Sequence, residues 1–161
     1  MSEEQQTVRP SAMNTTKNSR RHRLTLDAVP ADMHVLGAIR TQLTQFTHEV
    51  GLPEETVADV SLATYEALAN VVEHAYPPGQ MGTFDLLAEG RTDDGVLTVA
   101  IVDRGAWKPP TDNTRSRRGR GLPLMRACSD DFRITSLRGG TEIRLHRNFE
   151  HPVDVGASLV H

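Results

Sequence analysis

A single cysteine, Cys128, occurs among 161 residues. One thiol cannot build an internal disulfide framework, so scaffolds that depend on one are excluded, and the count fits a reducing compartment. No apolar run is long enough to cross a bilayer, and no hydrophobic segment follows the N-terminal charges. Neither a membrane span nor a secretory leader is expected, and the expected location is cytoplasmic. Charge of one sign is scarce as well: 18 Lys and Arg against 21 Asp and Glu leave a net charge of -3. That balance argues against direct nucleic-acid binding over the whole surface. The seven histidines have no cysteine or carboxylate companions at zinc spacing, so no metal cluster is assigned. What is present, 37% hydrophobic and 24% charged residues, is the mixture of one soluble globular domain with a core of its own.

Residues 1–21 are polar and read as a disordered tail. From His22 the chain alternates, with Leu24, Leu26 and Ala28 on one side, and an edge strand is expected to Val29. Asp32 can cap a helix that runs to about Val50, with Leu36, Ile39, Leu43, Phe46 and Val50 on one stripe; Gly51 closes it. Pro53 opens a second helix with Glu54 and Glu55 in its first turn, and Pro77-Pro78-Gly79 stops it. Thr83–Glu89 and Val96–Asp103 read as strands joined through Asp94-Gly95. Residues 104–120 lack periodicity and carry Arg115, Arg117, Arg118 and Arg120, as a long functional loop would. Gly119-Arg120-Gly121-Leu122-Pro123 leads into a short helix on which Cys128 is expected to pack. Asp131–Leu137 and Thr141–Arg147 form a last hairpin, and residues 148–161 read as a loose tail. The order β-α-α-β-β-loop-α-β-β predicts an α+β fold, a two-layer sandwich whose mainly antiparallel sheet carries helices on one face, over residues 22–147.

The second helix is unusual on its polar side. At about 100° per residue, Val57, Val60, Thr64, Leu68, Val71 and Ala75 share the core face. Glu66, Asn70 and His74 lie opposite, at i, i+4 and i+8, flanked by Leu62, Ala63, Ala67 and Ala69. This face is either an ordinary wet surface or a lined cavity whose polar groups pair with something else, because burying an amide unpaired costs about 2–7 kcal/mol. Asp103 poses a similar choice. It ends the row Leu97, Val99, Ile101, and is either a strand-end cap in solvent or a ligand group on the inner face.

Each of these elements suits one part of a nucleotide. A carboxylate at a pocket floor can accept from an adenine amino group, and a nearby hydroxyl such as Thr141 can hold the same edge. Glycines before a helix expose backbone N–H groups to phosphate oxygens. An amide oxygen one turn from a carboxylate can hold Mg²⁺, and the carboxylate can deprotonate an attacking hydroxyl. Glu66-x-x-x-Asn70 resembles the N box of the ATPases of the gyrase, Hsp90, histidine kinase and MutL type. Asp103-x-Gly105 resembles their first glycine box, Gly119-Arg120-Gly121-Leu122 the second, and Gly139-Gly140-Thr141 the segment that completes the adenine pocket. The small size, the Asn70-x-x-x-His74-Ala75-Tyr76 continuation and Gly121-Leu122-x-Leu124-Met125 are most similar to the anti-sigma factor serine kinases.

The resemblance implies the histidine-kinase-like (Bergerat) ATPase fold, ATP and Mg²⁺ as cofactors, and often a homodimer. It further implies a sigma factor and a STAS-type anti-anti-sigma protein as partners, the latter phosphorylated on serine. By the same resemblance Glu66 is the general base and Asn70 the Mg²⁺ ligand. Asp103 reads adenine with support from Thr141, and Gly105, Gly119, Arg120, Gly121 and Leu122 line the ATP site. His74 and Trp107 are expected at the pocket rim, Trp107 standing where the family has a second glycine. The alternatives are a non-catalytic module that acts by protein binding alone and a histidine kinase catalytic domain. The last is weakest, because no helical hairpin with an acceptor histidine precedes residue 22, so the acceptor is expected in trans.

Overall fold

The computed structural model describes residues 21–106 and 121–150. In chain order it contains β1 (Arg21–Pro30), α1 (Met33–Val50), α2 (Glu54–Asn70), a π-helical turn (Val71–Ala75), β2 (Thr83–Arg91), β3 (Val96–Asp103), α3 (Gly121–Ala127), β4 (Asp131–Leu137) and β5 (Gly140–Asn148). The strands form one five-stranded sheet in the order β1-β2-β3-β5-β4, with every neighbouring pair antiparallel. This is the expected α+β sandwich.

The core lies between the helices and one face of the sheet. Strand alternation puts Phe84, Leu86 and Ala88 of β2, Leu97, Val99 and Ile101 of β3, and Ile143 and Leu145 of β5 on the buried side. They meet the α1 stripe of Leu36, Ile39, Leu43, Phe46 and Val50, all buried, and Val57, Val60, Ala63, Ala67 and Leu68 of α2. Each large side chain so buried contributes about 1.5–3 kcal/mol. Asp32 caps α1 by accepting from the His34 N–H at 2.9 Å, and Gly51 ends it in the left-handed region at φ 93°. The packing is close enough that a Cβ on Gly90 of β2 would lie 2.7 Å from Cγ1 of Val50.

Three local features depart from the sequence reading. The register of β1 on β2 slips between Leu26 and Val29. In this bulge Ala28 takes a positive φ of 49° and turns outward, and Val29 packs on the core in its place. The helical stretch that ends at Pro77 is α-helical only to Asn70 and becomes a π-turn for Val71–Ala75. Beyond Arg147, β5 continues to Asn148, and Phe149 is buried with its N–H on the Gly95 carbonyl at 2.8 Å. Cys128 is buried, and burial together with the nearby Asp59 carboxylate pushes its thiol pKa up. Arg147 crosses from β5 to donate to Asp59 of α2 at 2.8 Å.

Candidate functional site

Glu66 and Asn70 leave the last turn of α2 side by side, each partly buried. The start of α3 comes directly against them. A Cβ on Gly121 would lie 3.3 Å from Glu66 Oε2, 3.5 Å from Asn70 Nδ2 and 3.7 Å from Asn70 Oδ1. Gly121 itself is buried, while Leu122 is partly buried against the core. A carboxylate and an amide therefore share Gly121 as a neighbour, and a side chain there would crowd the carboxylate. The flank of this face is only partly apolar cover: Ala63 and Ala67 are buried, but Leu62 is 41% exposed. His74 was expected in file with Glu66 and Asn70. It sits on the π-turn, whose wider hydrogen-bond spacing breaks four-residue stacking, and it is exposed, with Nε2 3.7 Å from Glu73 Oε2.

Asp103 closes the other side of the question left by the sequence, since it is on the inner face. It is 1% exposed, and its register partner on β5 is Thr141, also 1% exposed. The Gly105 N–H donates to Asp103 Oδ1 at 2.9 Å, and the Thr141 backbone N–H supports the same carboxylate. Asp103 Oδ2 is buried and has no hydrogen-bond partner among the described residues. Burial pushes the Asp103 pKa up, against the two N–H groups, which pull it down. An acceptor oxygen left in this state costs about 1–3 kcal/mol, which a donor supplied by a ligand would offset.

The backbone around Asp103 is too close for side chains. A Cβ on Gly105 would land on the Ala75 carbonyl oxygen, and one on Gly140 would land on the Asp103 carbonyl oxygen. Ala75 uses that same carbonyl to accept the Ala106 N–H at 2.9 Å. The end of the π-turn thus abuts the segment after Asp103, which brings the helix carrying Glu66 and Asn70 and the strand end carrying Asp103 into one region. Sequence reasoning gave no role to Tyr76, whose hydroxyl accepts the Arg104 N–H at 2.9 Å and donates to the Thr83 carbonyl. Its place after the His74-Ala75 pair was visible, but these partners were not. Trp107, Gly119, Arg120 and the arginine-rich loop lie outside the described residues.

Residues 29–147 match the family profile of the histidine kinase-like ATPase domain. The chain belongs to this family. As an ATPase domain it is 28% identical over 125 residues to the serine-protein kinase RsbW of Oceanobacillus iheyensis, covering 69% of this chain and 78% of that protein. It is 26% identical over 125 residues to the serine-protein kinase RsbW of Bacillus subtilis, covering 70% and 78%. Among solved structures, a Mycobacterium tuberculosis chain with RsbU and RsbW domains matches with a TM-score of 0.64 at 26% identity. That match covers 81% of this ATPase domain chain and 33% of the solved one, so the chain spans about a third of the solved chain's length.

No helix among the described residues is long and apolar enough to cross a membrane. Nor does any group of three or more His, Cys, Asp or Glu among them stand together to hold a metal ion. Mg²⁺ beside nucleotides is ordinarily held by one or two protein oxygens together with phosphate and water oxygens. The Asn70 amide oxygen beside Gly121 is chemically suited to that task, and Asp103 Oδ2 to an amino group of a base.

Proposed function

We propose that this ATPase domain binds ATP with adenine at Asp103 and transfers the terminal phosphoryl group to a serine of a partner protein. The observation that carries the reading is Asp103 Oδ2, a buried carboxylate oxygen with no protein donor among the described residues. Its surroundings are fixed by Gly105 and Thr141. An adenine amino group is a donor of the right kind, and the Thr141 hydroxyl can serve the adjoining ring nitrogen.

Glu66 acts on the serine. Its carboxylate takes the hydroxyl proton as the serine oxygen attacks the terminal phosphorus, the bond to the bridging oxygen breaks, and ADP leaves. Asn70 would hold Mg²⁺, which would supply charge neutralisation at the phosphates. Gly121, which has no side chain, lets the start of α3 lie against both groups, where a Cβ would come within 3.3 Å of Glu66 Oε2. Similarity to serine-protein kinases supports a protein serine as acceptor. In this reading the partners are a STAS-type anti-anti-sigma protein, which is phosphorylated, and a sigma factor, which is held. The domain works as a homodimer in the cytoplasm.

The test is transfer of label from ATP to a purified STAS-type partner, by wild type and by Glu66→Gln. Label on a serine with wild type and none with the variant is expected. Equal labelling by both removes Glu66 as the base, and no labelling by a wild type that binds ATP removes the kinase reading.

A further inference from the structure

Tyr76 is tied to the backbone on both sides of its hydroxyl. It donates to the Thr83 carbonyl and accepts the Arg104 N–H at 2.9 Å. Its ring occupies the space over Gly82, where any Cβ would strike it, and the Gly82 carbonyl is itself held by the Ala31 N–H at 2.8 Å. The preceding residue, Ala75, accepts the Ala106 N–H at 2.9 Å. Two consecutive residues at the end of the π-turn therefore hold the N–H groups of residues 104 and 106. The N–H between them, that of Gly105, turns the other way and donates to Asp103 Oδ1 at 2.9 Å. The Arg104 side chain anchors the same segment from outside, with Nη1 on Thr83 Oγ1 at 3.1 Å and Nη2 on Asp85 Oδ2 at 2.7 Å.

From this arrangement we infer that Tyr76 is a positioning residue for base recognition. Its hydroxyl holds Arg104 so that Gly105 engages Asp103 Oδ1 and Oδ2 stays directed at the base. The inference rests on the adenine reading of Asp103. It separates two roles that a tyrosine here could have. A ring that only filled the space over Gly82 would be indifferent to which base is bound. A hydroxyl that orients the carboxylate matters for a base carrying an amino group and not for one lacking it.

Tyr76→Phe keeps the ring and removes both hydrogen bonds of the hydroxyl. Dissociation constants are compared, for wild type and Tyr76→Phe, between ATP and purine riboside triphosphate, which lacks the exocyclic amino group. Wild type is expected to prefer ATP. In the variant that preference falls by roughly three- to tenfold, the factor that one hydrogen bond of ordinary strength represents. Weakening of both nucleotides by the same factor, or of neither, overturns the positioning role and leaves the adenine reading standing. A wild type with no preference for ATP overturns the adenine reading itself. Should the variant not fold, amide hydrogen exchange on the nucleotide-free wild type decides: a protected Arg104 N–H supports the role, and exchange at the rate of a free amide overturns it.

Discussion

Replacing Gly105 by alanine puts the contact between the π-turn and the glycine box under direct strain. The added methyl group would land on the Ala75 carbonyl oxygen, and neither partner is the yielding end of a flexible side chain. One backbone segment has to move away. Overpacking of this kind costs about 1–3 kcal/mol, and the Ala106 N–H to Ala75 bond that would be stretched or broken adds about 1 kcal/mol. The total is about 2–4 kcal/mol. For a domain of this size each kcal/mol moves Tm by about 3–5 °C, so the melting temperature should fall by about 6–20 °C. Gly37 is the control. It lies inside α1, is exposed, and a Cβ there meets nothing within 4 Å. Gly37→Ala should raise stability by about 0.5–1 kcal/mol through helix propensity alone. Thermal melts of both variants beside wild type read the result. Gly105→Ala melting with wild type, or Gly37→Ala falling as far as Gly105→Ala, would refute the reasoning.

The other predictions concern the groups of the site one at a time. Glu66→Gln should keep ATP affinity while phosphoryl transfer falls by at least about 100-fold; a parallel loss of affinity would assign Glu66 to binding instead. Asn70→Ala should leave ATP affinity indifferent to Mg²⁺, read by titrations with the metal and with a chelator; an undiminished Mg²⁺ response argues against Asn70 as the ligand. Burial raises the Asp103 pKa above its ordinary 3.8, so the protonated carboxyl favours the nucleotide-free fold. That contribution is complete below pH 3.8 and is lost as pH rises through the higher folded value. Relative to Asp103→Asn, which does not titrate, wild type should lose stability over that rise and no further above it; urea melts that keep a constant difference at every pH contradict this.

The fold was legible because its signals are local and agree with one another. The α1 stripe from Leu36 to Val50, the Asp32 and Gly51 caps and the alternation of Leu97, Val99, Ile101 and Asp103 each follow from a fixed period, and together they leave one arrangement. Parity placed Asp103 at the end of the inward row but left open whether it faced solvent or the interior, and its two N–H donors and its unpartnered oxygen were not legible. They depend on Thr141 lying opposite it in the register of β3 on β5 and on the turn at Gly105. The outward turn of Ala28 was missed because a bulge inserts one residue without changing composition. The π-turn after Asn70 was missed because its residues, Val71 to Ala75, continue a good α-helical pattern. Tyr76 was seen only as part of a motif, since its hydrogen-bond partners are Thr83 and Arg104, one of them 28 residues away.

The most direct test of the central claim is calorimetric binding of ATP with Mg²⁺ to the purified protein, wild type beside Asp103→Ala. The account predicts saturable binding by wild type and its loss in a variant that remains folded. Undiminished affinity in Asp103→Ala, or no binding by folded wild type, would contradict it. The second outcome would leave a domain of this family that works by gripping a protein partner alone.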